Sequence, residues 1–330
     1  MTFRPLAFRR RTQIQGAVDS RPLFLCLLLA SVPLAAKPVP LVELTADPIP
    51  LTRVQLKRGA IDVRVSLGFD KAMLLNLAPA QKLGLKPFPI FGKFKFKNPQ
   101  IPGGEAIIRG NIVSGDVGGT GKQKLPTVWI DKDVVPPPQA GVVSVMAFDA
   151  ERVIIRNPSA PTGGRAFVLP RAGRNDSDIK WKLGQDTVRV VFDFTSERTV
   201  LNARAAQILE REGLVRRQGR VGLWSPVPAL TLPVEQLSPT AGANMMGLPL
   251  KEPFARITRD QAKALDARAA AGIQGDSPDD EDAIVVTAKS KEKEGRAPWM
   301  LIGRDVLRYC SSVVLDRQAA TWTLTCAFPA

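Results

Sequence analysis

The sequence predicts a mainly β protein built from two copies of one unit, with a few short helices. Three observations carry that expectation. Short apolar or alternating runs recur along the body, among them "AIDVRVSLGF", "EAIIRGNIVSG", "GVVSVMAF", "DTVRVVFDF" and "TWTLTC", and Gly and Pro turn signals separate many of them. The segments "LLNLAPAQKL" (74–83) and "VLNARAAQIL" (200–209) align without a gap, matching Asn76 with Asn202, Ala80 with Ala206 and Gln81 with Gln207. Each half also closes alike: "GVVSVMAFDAERVIIRN" (141–157) and "WMLIGRDVLRYCSSVVLD" (299–316) both hold two apolar residues and a small one, then four more residues, then a strand.

Taken in order, residues 1–36 read as a signal peptide, because a basic stretch is followed by the apolar run Pro22–Ala36 ending in small residues. That run has 15 residues, whereas a membrane-spanning helix needs about 20. Export to the periplasm or secretion is therefore expected, with no transmembrane segment once the signal is removed. Residues 37–56 form a Pro-rich lead-in, extended along a sheet edge. The first unit spans 57–157, a linker 158–180, and the second unit 181–330. Within the units, "LAPAQKLGL" and "NARAAQILEREGL" have the spacing of short amphipathic helices and both close on Gly-Leu.

One segment has no counterpart in the first half. Residues 265–298 hold an acidic block, a short apolar run and a mixed-charge tail, which reads as a surface insertion. Its "DEDAIVVTA" resembles the TonB box of energy-coupled outer-membrane receptors, which implies strand pairing with a periplasmic TonB-like partner through residues 283–288.

Charge and residue inventory exclude several chemistries. The chain carries a formal +15 and no His, so Ser-His-Asp and Cys-His nucleophiles and His-ligated zinc are ruled out. Residues 1–36 hold five Arg and one Asp, which leaves +11 on the remainder. The nearest thing to a basic patch is "FGKFKFKNP", where Lys93, Lys95 and Lys97 alternate with Phe94 and Phe96. It reads first as a half-buried strand with a solvated face, and no specific nucleic-acid partner is expected. An affinity for anionic surfaces is compatible with the charge.

Of three cysteines, Cys26 lies in the signal segment, leaving Cys310 and Cys326. Two thiols cannot complete a four-ligand zinc site, and no metal or cofactor is expected. In "YCSSVVLDRQAATWTLTC" two β-type runs flank "DRQAA". A hairpin centred on Gln318 would set Cys310 opposite Cys326, Ser312 opposite Leu324 and Val314 opposite Trp322. A cross-strand disulfide follows, with two free buried thiols as the alternative.

The second copy carries the specific residues. "VVFDFTSERTVLN" with the helix "ARAAQIL", followed later by "LIGRDVL" and "VVLD", resembles the retropepsin and pepsin-like aspartic peptidases. The resemblance covers roughly residues 55–330 and implies a bilobal acid-protease-like fold made of two tandem retropepsin-like β units. It also implies chemistry by two carboxylates that share one proton and activate a water. Counting back from Leu201, the family's Asp-Thr-Gly falls on Asp193, Phe194 and Thr195. The same count from Leu75 puts Leu67 at the Asp position, strand matching puts Gly68 there, and a local gap brings Asp70 into line. In the family the Arg of the Gly-Arg turn bonds an acid four residues after the catalytic Asp. That relation implies an ion pair between Arg304 and Glu197, within the supporting turn Gly303, Arg304 and Asp305.

The expected function is an exported aspartic-peptidase-like protein that binds extended peptide or protein segments in an interlobe cleft, with weakened or absent peptidase activity. Two alternatives stand beside it: an active aspartic endopeptidase using Asp193 with Asp70, and an envelope protein engaging a TonB-like partner through the 283–288 strand.

Overall fold

The structure, a computed structural model, describes residues 41–98, 100–271 and 297–329. The proposed signal segment and the TonB-box-like strand therefore lie outside the described residues. Strand β1 (Leu41–Thr45) is followed by the hairpin β2 (Leu51–Leu56) and β3 (Gly59–Ser66). Along β2 exposure and burial alternate strictly, so that Thr52, Val54 and Leu56 face inward, as a period of two requires. Strand β4 (Met73–Asn76) leads into helix α1 (Leu77–Lys82). A meander follows, β5 (Lys93–Lys97), β6 (Glu105–Val117) and β7 (Lys122–Ile130), then β8 (Gly141–Ser144), a short turn of helix and β9 (Arg152–Arg156).

Strand β10 (Arg165–Pro170) precedes the second half. That half contains β11 (Ile179–Leu183), β12 (Asp186–Phe192), β13 (Val200–Leu201), α2 (Ala203–Arg211), β14 (Val215–Val227) and β15 (Leu230–Pro239). A small ladder, β16 (Asn244–Met245) with β17 (Leu248–Pro249), comes next, then β18 (Phe254–Arg256) and α3 (Arg259–Ala270). The chain closes with β19 (Trp299–Ile302), α4 (Arg304–Leu307), β20 (Cys310–Asp316) and β21 (Thr321–Cys326).

Two seven-stranded sheets follow one plan. Their orders are β2-β3-β8-β4-β7-β6-β5 and β11-β12-β19-β13-β18-β15-β14, which match position for position in chain order. Directions match too: β3 with β8 and β12 with β19 are parallel, whereas β4 with β8 and β13 with β19 are antiparallel. In the first sheet β2 also pairs with β6, closing six strands into a barrel. A third sheet, β1-β9-β20-β21-β10, takes strands from both ends and from the middle of the chain. The cores are continuous: Val63, Val65, Phe148, Ile155, Val190, Phe192 and Trp322 belong to one buried apolar cluster.

The two matched helices start differently. Asn202 caps α2, its Oδ1 accepting from Ala205 N–H at 2.9 Å. The helix ends at Gly213, which takes the left-handed conformation at φ 69°. Asn76, at the same place before α1, makes no such cap; its Oδ1 accepts from Val134 N–H at 2.8 Å, and its amide donates to Val135 O at 2.9 Å. Asn202 both starts its helix and ties down a neighbouring segment, its amide donating to Ala297 O at 2.8 Å, whereas Asn76 does only the second.

Several sequence expectations need adjustment. The segment 158–180 is more than a connection, because its strand β10 pairs with β21 from Arg165 opposite Cys326 to Pro170 opposite Thr321. Of the lead-in 37–56, β1 lies at the edge of the third sheet, parallel to β9, and β2 belongs to the first sheet. Helix α3 extends to Ala270, six residues into the segment read as an insertion; its start is fixed by a capping box between Thr258 and Gln261. The disulfide joins Cys310 and Cys326, but the hairpin register differs from the one centred on Gln318. Val313 rather than Ser312 opposes Leu324, and Leu315 rather than Val314 opposes Trp322. A bulge between Cys310 and Ser312 absorbs the extra residue and restores the cysteine pairing. Among the described residues no helix is long and apolar enough to cross a membrane.

Candidate functional site

Asp193 follows directly on β12. Its backbone N–H donates to Ile302 O at 3.0 Å, which sets the residue beside the start of the Gly303 turn. The side chain is 5% exposed. One carboxylate oxygen, Oδ1, accepts from Thr195 N–H at 2.9 Å, and the other, Oδ2, accepts a short hydrogen bond from the Ser66 hydroxyl at the end of β3. Gly68 N–H in turn donates to Ser66 Oγ at 3.2 Å. Burial pushes the Asp193 carboxyl above the ordinary carboxylate range, opposed by hydrogen bonds from Ser66 and then Thr195, which favour the ionised form.

The loop after Asp193 is held from below by the turn that follows β19. Gly303 is required there: a Cβ would lie 2.4 Å from Arg198 O. Arg304 N–H donates to Ser196 O at 2.9 Å and Asp305 N–H to Glu197 O at 3.1 Å. The Asp305 carboxylate accepts from Thr199 N–H at 3.0 Å and from the Thr199 hydroxyl at 2.9 Å. Burial raises the pKa of Asp305 as well, against those hydrogen bonds. Arg304 donates to Phe194 O at 2.9 Å and to Glu197 Oε1 at 3.1 Å, the ion pair implied by the resemblance. Glu197 itself is 80% exposed at its side chain, so the carbonyl of Phe194 is the better shielded of the two partners. Phe194 is buried, and its ring belongs to the core rather than to the loop surface.

The first half carries the same frame with other side chains. Val65 pairs with Val143 and Ser66 with Ser144, as Phe192 pairs with Ile302 one residue before Asp193 and Gly303. By register, then, Ser66 and not Leu67 or Gly68 is the counterpart of Asp193. Counting back from the helix misses this because nine residues separate Ser66 from Leu75 and eight separate Asp193 from Leu201. The signal that finds it is the apolar-apolar-small turn, Val142 to Ser144, since β8 fixes the end of β3 directly. Gly68 packs against the carboxylate: a Cβ there would lie 3.3 Å from Asp193 Oδ2.

Asp70 is exposed, beyond the buried Ser66–Asp193 contact. Its charge acts on Arg189, whose pKa is raised first by the bond to Asp178 and to a lesser degree by Asp70. The pair that meets across the halves is thus Asp193 with Ser66. Chemically this is a buried carboxyl hydrogen-bonded to an alcohol. An alcohol does not ionise near neutral pH, so the pair lacks the second titrating group that a shared-proton dyad uses. Among the described residues no cluster of His, Cys, Asp and Glu suits a metal ion.

Comparison of the sequence with protein families and with curated proteins finds no match. Among solved structures the chain is similar to EIAV protease complexed with the inhibitor HBY-793, at 17% identity and a TM-score of 0.21, over 30% of this chain and 84% of that one.

Proposed function

We propose that the protein is an exported, aspartic-peptidase-like binding protein. Each seven-stranded sheet is read as one retropepsin-like unit, the two make a bilobal body, and an extended peptide or protein segment docks between them by strand addition. Peptidase activity is absent or strongly weakened. One observation carries this reading: the carboxylate of Asp193 meets the hydroxyl of Ser66 where the mechanism calls for a second carboxylate. The matching strand orders and the disulfide are consistent with it.

A peptide-library cleavage assay from acid to neutral pH tests the reading, comparing wild type with Asp193→Asn, Asp70→Asn and Ser66→Asp. Wild type, Asp193→Asn and Asp70→Asn are expected to give the same background profile. Ser66→Asp, which sets two carboxylates face to face, is the variant in which acid-dependent cleavage is expected to emerge. Cleavage by wild type that disappears in Asp193→Asn would overturn the proposal. Peptide-array binding by the wild-type chain, with hits retained in Asp193→Asn, is the expected positive result.

A further inference from the structure

The largest exposed apolar side chains are concentrated in one place. Among the described residues ten large hydrophobic side chains are exposed, and six of them (Phe88, Ile90, Phe91, Phe94, Phe96 and Ile112) belong to the loop before β5 and the hairpin β5–β6. Ile90 and Phe91 are 78% and 72% exposed, and it is their clustering with the other four that distinguishes them from a single surface hydrophobe such as Leu223 at 76%. Phe88 and Phe91 stack at 5.7 Å between ring centroids, so the loop presents a preformed aromatic pair rather than separate side chains.

Strand β5 is the edge of its sheet and all five of its residues are exposed. The alternation in "KFKFK" therefore does not divide a core face from a water face, as the sequence alone suggested. The strand bears aromatic rings on one side and ammonium groups on the other, both in solvent. Between residues 86 and 112 there are five basic side chains, Lys86, Lys93, Lys95, Lys97 and Arg109, and one acid, Glu105, which is engaged by Lys95 at 3.1 Å.

We infer that the 88–96 loop and edge strand form a docking surface for an anionic lipid bilayer. Charge complementarity selects an anionic partner. The aromatic and aliphatic side chains supply what a headgroup layer takes in, while lysine stems lie along the apolar region with their ammonium groups at the phosphates. A soluble acidic peptide would satisfy the lysines and leave Ile90 and Phe91 in water, which is why the bilayer is the better fit.

Flotation of the full-length chain with vesicles of phosphatidylcholine, alone or mixed with phosphatidylglycerol, tests the inference. Binding to the anionic vesicles is expected to exceed binding to the neutral ones by about tenfold and to fall as salt is raised. The combined variant Ile90→Ser, Phe91→Ser, Phe94→Ser, Phe96→Ser is expected to lose about tenfold in binding with unchanged thermal unfolding, since all four side chains are exposed. Any contribution of the apolar run at 22–36 is common to both chains. Replacing Lys93, Lys95 and Lys97 by Gln should remove most of the salt dependence. Equal vesicle binding by the four-serine variant and wild type would overturn the inference. So would equal binding to both vesicle types, or binding to polyglutamate with none to vesicles.

Discussion

Ser66 ends β3 and Asp193 follows directly on β12, equivalent strands of two sheets laid out to one plan, yet one half surrounds its position with a polar network and the other with apolar packing. Behind Asp193, the turn Gly303-Arg304-Asp305 contributes a guanidinium to Phe194 O and a carboxylate to Thr199. Behind Ser66, the matching turn is Ser144-Val145-Met146. It offers one hydroxyl, which donates to Phe69 O at 2.7 Å, and buries Val145 and Met146. A strand frame of this kind tolerates either filling because ladder hydrogen bonds, rather than loop side chains, hold the strand ends. What the filling decides is whether a charge can be kept beside the contact between the halves.

The sharpest way to break the comparison is at the turn glycine. Gly303→Ala forces a Cβ onto the Arg198 backbone and is expected to cost about 3 kcal/mol in urea unfolding. Ser144→Ala in the first half, where a Cβ is already accommodated, should cost about 1 kcal/mol for the lost hydrogen bond. Equal costs would mean that the close approach at Gly303 does not set the two turns apart.

Next in size is Asp305→Ala, which strips the Thr199 N–H and hydroxyl of their acceptor in a buried site. A loss of about 2 kcal/mol is expected from chemical denaturation. Met146→Leu at the matching place is a volume-conserving change and should cost less than about 1.5 kcal/mol.

Asp193→Asn sharpens the comparison through pH. The folded-state pKa of Asp193 is raised, so as pH climbs the unfolded chain loses its proton first and the folded state binds more protons. Stability attributable to this group is therefore present below the ordinary carboxylate range and declines as pH rises toward the raised value. Urea unfolding across that window should show a smaller decline in Asp193→Asn than in wild type. Some decline persists in the variant, because Asp305 is raised in the same direction. An identical pH profile in both proteins would remove the buried charge as the distinguishing feature of the second half.

The smallest effect is expected from Glu197→Gln. The ion pair with Arg304 is exposed on the Glu197 side and Arg304 keeps its bond to Phe194 O, so the change in stability should stay within about 0.5 kcal/mol.

Much of this was legible in the sequence, for reasons tied to particular residues. The two matched helices and apolar-apolar-small turns announced the duplication because their residues must pack the same way in both sheets. Asp193 and the Arg304–Glu197 pair could be located because the second half keeps local spacing from strand to helix. Ser66 was not found, since one extra loop residue moves a count from the helix and only strand pairing restores it. Helix α3 escaped notice because its buried content is slight, with Ala262 its one fully buried residue; the capping box Thr258–Gln261 was the available clue. The lysine-phenylalanine strand looked half-buried because alternation records two different faces, not whether either is covered.

The five-stranded sheet is assembled from strands that lie far apart in the chain. Strand β9 sits between β1, which comes more than a hundred residues earlier, and β20, which comes later by a still longer interval. Strand β9 keeps one open edge until the β20–β21 hairpin is in place, and β10 waits for β21 in the same way. A product that stops short of Cys310 therefore carries an uncovered strand edge in its middle, the feature that invites mispairing between chains. Strands β20 and β21 close that edge, and the Cys310–Cys326 bond fastens the two together.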